Sequence, residues 1–153
     1  MPTTVKAKVK WVEGMKFSGE SADGRTLVLN SAEEMGQAFT PMELFLISQA
    51  GCTAMDTVWI LEKERQKVES LVISVQGIRR DEDPRYYETI DLEFLVSGKA
   101  IRKESVERAI RLSQEKYCSA RAMLRPDIKV RIVYRIATAD EPEQKYEYAV
   151  PAV

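Results

Sequence analysis

The chain of 153 residues contains no histidine. That absence excludes every Ser-His-Asp or Cys-His nucleophile, every histidine-ligated zinc or haem, and the one side chain whose ordinary pKa lies near neutrality. A surplus of either charge is missing too, because 23 Lys+Arg stand against 24 Asp+Glu for a net charge of -1. Nucleic-acid binders draw affinity from a basic surplus facing phosphates, so no nucleic acid is expected as a partner. Cysteine is scarce: Cys52 and Cys118 are the two in the sequence, and they form no CxxC. The N-terminus, Met1-Pro2-Thr3-Thr4-Val5-Lys6, lacks the basic patch and apolar run of a signal peptide. The longest apolar stretch, Leu44 to Leu61, is interrupted by Ser48, Gln49, Thr53, Asp56 and Thr57 and reads as too polar to span a bilayer. The expectation is a cytoplasmic protein with no membrane partner. In that reducing compartment the two cysteines read as free or redox-active thiols rather than a permanent disulfide.

What is present suits a folded chain: 44% of residues are hydrophobic and 31% charged, ordinary values for a globular protein. A chain of this size buries roughly 68–70% of its unfolded surface without metal or disulfide staples, so one domain over 1–153 is expected. Val5, Ala7, Val9 and Trp11 alternate with Lys6, Lys8 and Lys10 in the period of a strand. Runs at 15–20 and 25–30 flank Ser21-Ala22-Asp23-Gly24, whose Asp-Gly pair suits a hairpin turn, so the N-terminal third reads as an antiparallel meander.

Thr40-Pro41-Met42-Glu43 combines an N-cap threonine, a proline at the first helical position and a glutamate at the third, the signature of a capping box. The helix it opens should run to about Lys67, apolar nearly all round in its first half and hence buried. Residues 68–80 and 86–98 read as a long hairpin, and 103–117 as an amphipathic helix carrying Val106, Ala109, Ile110, Leu112, Ser113 and Tyr117 on one face. A short helical piece at 119–124 and a strand at 128–136 follow, and the tail at 140–153 reads as loosely held. The order implies an α+β fold with a mostly antiparallel sheet. A sheet covers one side of a helix, so a central helix apolar on every face asks for a second copy, and a homodimer across 41–61 is expected.

Thr40-Pro41-Met42-Glu43-Leu44, Ala50-Gly51-Cys52-Thr53-Ala54-Met55-Asp56, Ile60-Leu61-Glu62-Lys63 and Ser113-Gln114-Glu115-Lys116-Tyr117-Cys118-Ser119 resemble the two cysteine signatures of the OsmC/Ohr superfamily, and its YhfA-like branch in particular. The resemblance covers essentially the whole chain. It implies an intertwined α+β homodimer with buried central helices, a site at the subunit interface, and no metal, haem or other cofactor. It further implies a thiol-dependent peroxidase in which Cys52 attacks an organic hydroperoxide and becomes a sulfenic acid, and Cys118 resolves it as a disulfide. A dithiol reductant, whose identity the sequence leaves open, completes the cycle.

A free thiol with pKa near 8.5 is only about 3% ionised at pH 7, so Cys52 needs a nearby cation. The peroxidase branches draw an arginine from the N-terminal strands, and Arg25 is its counterpart here; Arg121, three residues after Cys118, is a second candidate on local grounds. Those branches also place a glutamate directly after the proline. Here Met42 takes that position and Glu43 follows, on the face of the helix opposite Cys52, so Glu43 acts on a partner subunit's site or serves as a helix cap. Asp56 follows Cys52 by one turn, and a carboxylate there raises a thiol pKa unless it is paired. By composition alone, two cysteines in apolar helices are inert buried thiols. The alternative function is therefore a non-catalytic homodimer that binds a small apolar ligand between its subunits.

Overall fold

The computed structural model describes residues 2–34 and 36–151, and the chain divides into two compact units, 1–45 and 46–153. In the first, β1 (Ala7–Glu13), β2 (Lys16–Ser21) and β3 (Thr26–Leu29) form an antiparallel three-stranded sheet in the order β1-β2-β3. The turn between β2 and β3 falls on Asp23-Gly24, with Gly24 at φ +91, a conformation that glycine adopts without steric cost. β1 is exposed along its whole length despite its alternating sequence.

The α1 helix (Pro41–Lys63) begins in the first unit and continues into the second. Its start is the expected capping box: the Glu43 carboxylate accepts from the Thr40 N–H at 2.8 Å, and the Glu43 N–H donates to Thr40 Oγ1 at 3.2 Å. It ends four residues earlier than the sequence suggests. Arg65 turns left-handed at φ 58, and the N–H groups of Arg65 and Gln66 cap the carbonyls of Glu62 and Leu61 at 2.9 Å each.

Within the single chain the burial of α1 is one-sided: it buries Gln49, Ala50, Thr53, Thr57, Ile60 and Leu61, and leaves Phe45, Ile47, Met55 and Trp59 exposed. Gln49 and Thr53 face inward toward partners on distant segments, while several large apolar side chains face out. By length and composition α1 is also long and apolar enough to cross a membrane, against the sequence reading. Its polar residues are nonetheless engaged within the protein, with Gln49 Nε2 donating to the Ala120 carbonyl at 3.0 Å and Thr57 Oγ1 to the Thr53 carbonyl at 2.8 Å.

In the second unit β4 (Lys67–Arg79) and β5 (Tyr87–Lys99) form the long antiparallel hairpin, and β6 (Lys129–Thr138) lies parallel to β5. Between β5 and β6 run α2 (Lys103–Leu112), a π-helical turn (Ser113–Tyr117) and a one-turn α3 (Ser119–Ala122). A parallel neighbour requires such a crossover, because a tight turn can only join antiparallel strands. Where the sequence suggested a loose tail after Asp140, β7 (Glu141–Tyr148) pairs antiparallel with β6 and completes the order β4-β5-β6-β7.

The core of this unit lies between the sheet and the helices. Leu92, Phe94 and Val96 of β5 stand in register with Ile132, Tyr134 and Ile136 of β6, and all are buried. Val106, Ala109 and Ile110 of α2 are buried as well, and Tyr134 Oη of β6 donates to the Glu107 carboxylate of α2 at 2.9 Å. Each such apolar side chain contributes about 1.5–3 kcal/mol by leaving water. The π-turn shifts the helix phase after Leu112, so Tyr117, expected on the buried face, is exposed.

Candidate functional site

The π-turn and α3 converge on the middle of α1, and local sequence explains each. Cys52 and Asp56 are four residues apart on α1, so they lie on one face of the helix, one above the other. Cys118 follows the π-turn, where its N–H bonds back five residues to the Ser113 carbonyl at 2.8 Å. Such a turn inserts one extra residue into the helix, and insertions of this kind recur at functional sites. Cys118 then caps α3, its sulfur accepting the Arg121 N–H at 3.3 Å. The result is that Cys52 Sγ, an Asp56 carboxylate oxygen and Cys118 Sγ all lie within 4.8 Å of one another.

Cys52 is half-buried and Cys118 buried, and both are free thiols. Around Cys118 a short chain of hydrogen bonds is assembled. Gln114 Nε2 donates to Thr53 Oγ1 at 3.2 Å, and Thr53 Oγ1 lies 3.5 Å from Cys118 Sγ. Oγ1 keeps a second lone pair and its proton after accepting from the amide, so either the hydroxyl or the thiol can donate in its contact with Cys118. Asp56 is held by Ser113, whose Oγ donates to Oδ2 at 2.9 Å. Thr53 and Ser113 are almost fully buried, so these bonds are shielded from competing water.

Burial pushes the Cys118 thiol above its ordinary value; the hydrogen bonds from Thr53 and the Arg121 N–H oppose that rise, and the neighbouring Cys52 adds to it. Arg121 shows the complementary effect. Burial draws its guanidinium below the ordinary value, and the charge of a Cys118 thiolate opposes that. Among the described residues, Arg121 Nε and Gln114 Oε1 are buried side-chain atoms without a hydrogen-bond partner.

The structure therefore brings together Cys52 and Cys118, as the sequence suggested, with Arg121 beside the second. Arg25 belongs to the N-terminal unit, where its exposed guanidinium pairs with Asp23 at 2.9 Å. Glu43 is engaged with Thr40 in the capping box. Sequence reasoning missed Thr53, Ser113 and Gln114. The available signal was Gln49, Thr53 and Thr57, whose four-residue spacing marks one buried polar stripe on the helix. On the outer face of α1, Ala54, Met55, Val58, Trp59, Glu62 and Leu71 line a shallow depression of about 460 Å³.

Known proteins resemble this chain in sequence and in fold. The family model described as OsmC-like protein matches residues 34–133. Protein YhfA of Escherichia coli is 40% identical over 137 residues, covering 88% of this chain and 100% of that protein. Among solved structures, a hypothetical protein from Aquifex aeolicus superposes with a TM-score of 0.82 at 27% identity, over 91% of this chain and 100% of that one. The organic hydroperoxide resistance protein OhrB of Bacillus subtilis superposes with a TM-score of 0.61 at 15% identity, over 85% of this chain and 96% of that one, a likeness of fold.

Proposed function

The chain belongs to the OsmC-like family, and from that premise we propose that it is a thiol-dependent peroxidase that reduces organic hydroperoxides. The observation that carries this reading is the approach of the Cys52 and Cys118 sulfurs to within 4.8 Å. A disulfide needs S–S contact near 2.05 Å, so on this reading the two sulfurs close the remaining gap when Cys52 is oxidised.

Cys52, the more accessible sulfur, attacks as the thiolate on the terminal peroxide oxygen. The O–O bond breaks, the sulfur is oxidised to a sulfenic acid, and the departing alkoxide takes a proton to leave as an alcohol. Cys118 then attacks the Cys52 sulfur, and hydroxide leaves as water with the Cys118 proton. An external dithiol of the cytoplasm reduces the disulfide. Burial keeps Cys118 protonated until then, which suits the second sulfur rather than the first. Arg25 is assigned, from the family resemblance, to activate Cys52, and Arg121 to the charge that passes through Cys118. The capping contacts account for Glu43 as a helix cap. A second copy of the chain is expected to cover the exposed face formed by Phe45, Ile47, Met55 and Trp59.

The test is consumption of cumene hydroperoxide by the reduced protein with a dithiol reductant. Wild type should turn over, Cys52→Ser should not, and Cys118→Ser should accumulate a sulfenic acid trappable on Cys52. Turnover by Cys52→Ser, or none by wild type, overturns the reading.

A further inference from the structure

Two sulfurs and a carboxylate within 4.8 Å of one another form a ligand set as well as a redox pair. We propose that the reduced protein binds one zinc-type divalent cation through Cys52 Sγ, Asp56 and Cys118 Sγ. The inference does not rest on peroxidase chemistry, since it needs only the reduced thiols and the carboxylate.

Geometry supports it first. Tetrahedral zinc with Zn–S bonds of about 2.3 Å holds its sulfurs roughly 3.8 Å apart, and its sulfur–oxygen separations are a little shorter. Convergence by about 1.2 Å at most therefore closes the set. Two ligands come from one helix at a four-residue spacing, so the helix fixes their separation, and the third comes from the residue that ends the π-turn.

The surroundings also fit. Ser113 Oγ donates to Asp56 Oδ2 at 2.9 Å, and Thr53 Oγ1 and the Arg121 N–H lie 3.5 and 3.3 Å from Cys118 Sγ. Outer contacts of this kind orient metal ligands and raise affinity. Charge balances as well: two thiolates and a carboxylate against a divalent cation leave one negative charge, which the Arg121 guanidinium neutralises. Each thiol gives its proton to solvent when it binds. Two thiolates select a borderline-soft cation such as zinc over magnesium or calcium, and three protein ligands leave the fourth position for water. Because a disulfide offers no thiolate, oxidation of the pair would expel the metal, and bound metal would hold both sulfurs out of reach of oxidants.

The experiment titrates zinc into reduced, metal-free full-length protein against a chromophoric chelator, with no peroxide present, and repeats it with cobalt to read thiolate-to-metal charge transfer. One metal per chain is expected. Asp56→Asn should weaken binding by about tenfold or more, and Cys118→Ser should lose about half of the cobalt charge-transfer absorption. Disulfide-oxidised wild type should bind no metal at this site. Since Cys118 is buried, Asp56→Asn and Cys52→Ser carry the comparison should Cys118→Ser fail to fold. Absence of stoichiometric binding, or equal affinity in wild type, Asp56→Asn and Cys52→Ser, would overturn the proposal. Zinc binding by a protein that consumes no hydroperoxide would support this site while removing the peroxidase reading.

Discussion

Thr53 Oγ1 lies 3.5 Å from Cys118 Sγ while it receives the Gln114 amide at 3.2 Å, so one buried hydroxyl on α1 couples the π-turn to the second thiol. Thr53 neighbours Cys52 in sequence, and the contact therefore ties the two cysteines together through a single residue.

Thr53→Val keeps the shape of the side chain and removes that coupling. It leaves the Gln114 amide without its acceptor, which should cost about 1–3 kcal/mol of stability. Thermal melting checks this. On the peroxidase reading the variant should also close the Cys52–Cys118 disulfide more slowly, by about tenfold, with sulfenic acid formation at Cys52 changed far less. Stopped-flow tryptophan fluorescence after one equivalent of hydroperoxide would separate the two phases, and unchanged closure would remove Thr53 from the chemistry.

Hydroperoxides with an alkyl or aryl group should react faster than hydrogen peroxide. The outer face of α1 carries Met55, Val58 and Trp59 around a depression of about 460 Å³. Apolar area removed from water contributes about 25 cal/mol per Å², so an illustrative burial of about 60 Å² gives about 1.5 kcal/mol, near tenfold in rate if realised in the transition state. Comparing cumene hydroperoxide with hydrogen peroxide at one pH decides it, and equal rates would defeat the expectation.

The protein should be a dimer at low micromolar concentration. Phe45, Ile47, Met55 and Trp59 are between 37% and 76% exposed on one helix, an unusual amount of apolar surface for a single chain to leave in water. Light scattering should return about twice the 17.4 kDa chain mass, and Met55→Asp should shift the population toward monomer. A monomeric wild type would contradict the proposed interface.

Stability should fall at alkaline pH through two tyrosines. Burial and the Glu107 carboxylate, which accepts from Tyr134 Oη at 2.9 Å, hold the Tyr134 phenol well above its ordinary value of 10.0. Burial and Glu115 push Tyr148 up to about 12. Raised folded values favour the protonated form in the native state, so this stability is complete below pH 10 and is lost as pH rises from there through the folded values. From about pH 10 to 12 the loss should approach 1.4 kcal/mol per pH unit for each group that ionises only on unfolding. Urea melts across that range should show a steep decline, and Tyr134→Phe, less stable at neutral pH, should show a shallower one. A parallel decline in both proteins would exclude Tyr134 as a source.

Much of this fold was legible in the sequence because its signals are local. The capping box at Thr40 to Glu43, the Asp23-Gly24 turn, the alternation through β5 and β6 and the amphipathic stretch of α2 each depend on residues within a turn or two of one another. The cysteine motifs were legible in the same way, as was the i, i+4 relation of Cys52 and Asp56. Four features were decided only by tertiary structure. The end of α1 was set by the left-handed Arg65, a conformation usually given to glycine and so without a signature here. β7 is polar and became a strand by pairing with the edge of β6. The π-turn at Ser113–Tyr117 broke a helical period that the sequence continued. Finally, the polar stripe of α1 turned inward because Gln49 and Thr53 found acceptors and donors more than sixty residues away, at Ala120, Cys118 and Gln114. Local sequence fixes periodicity and caps, whereas which face of a nearly uniform helix is buried depends on the partners that distant segments bring to it.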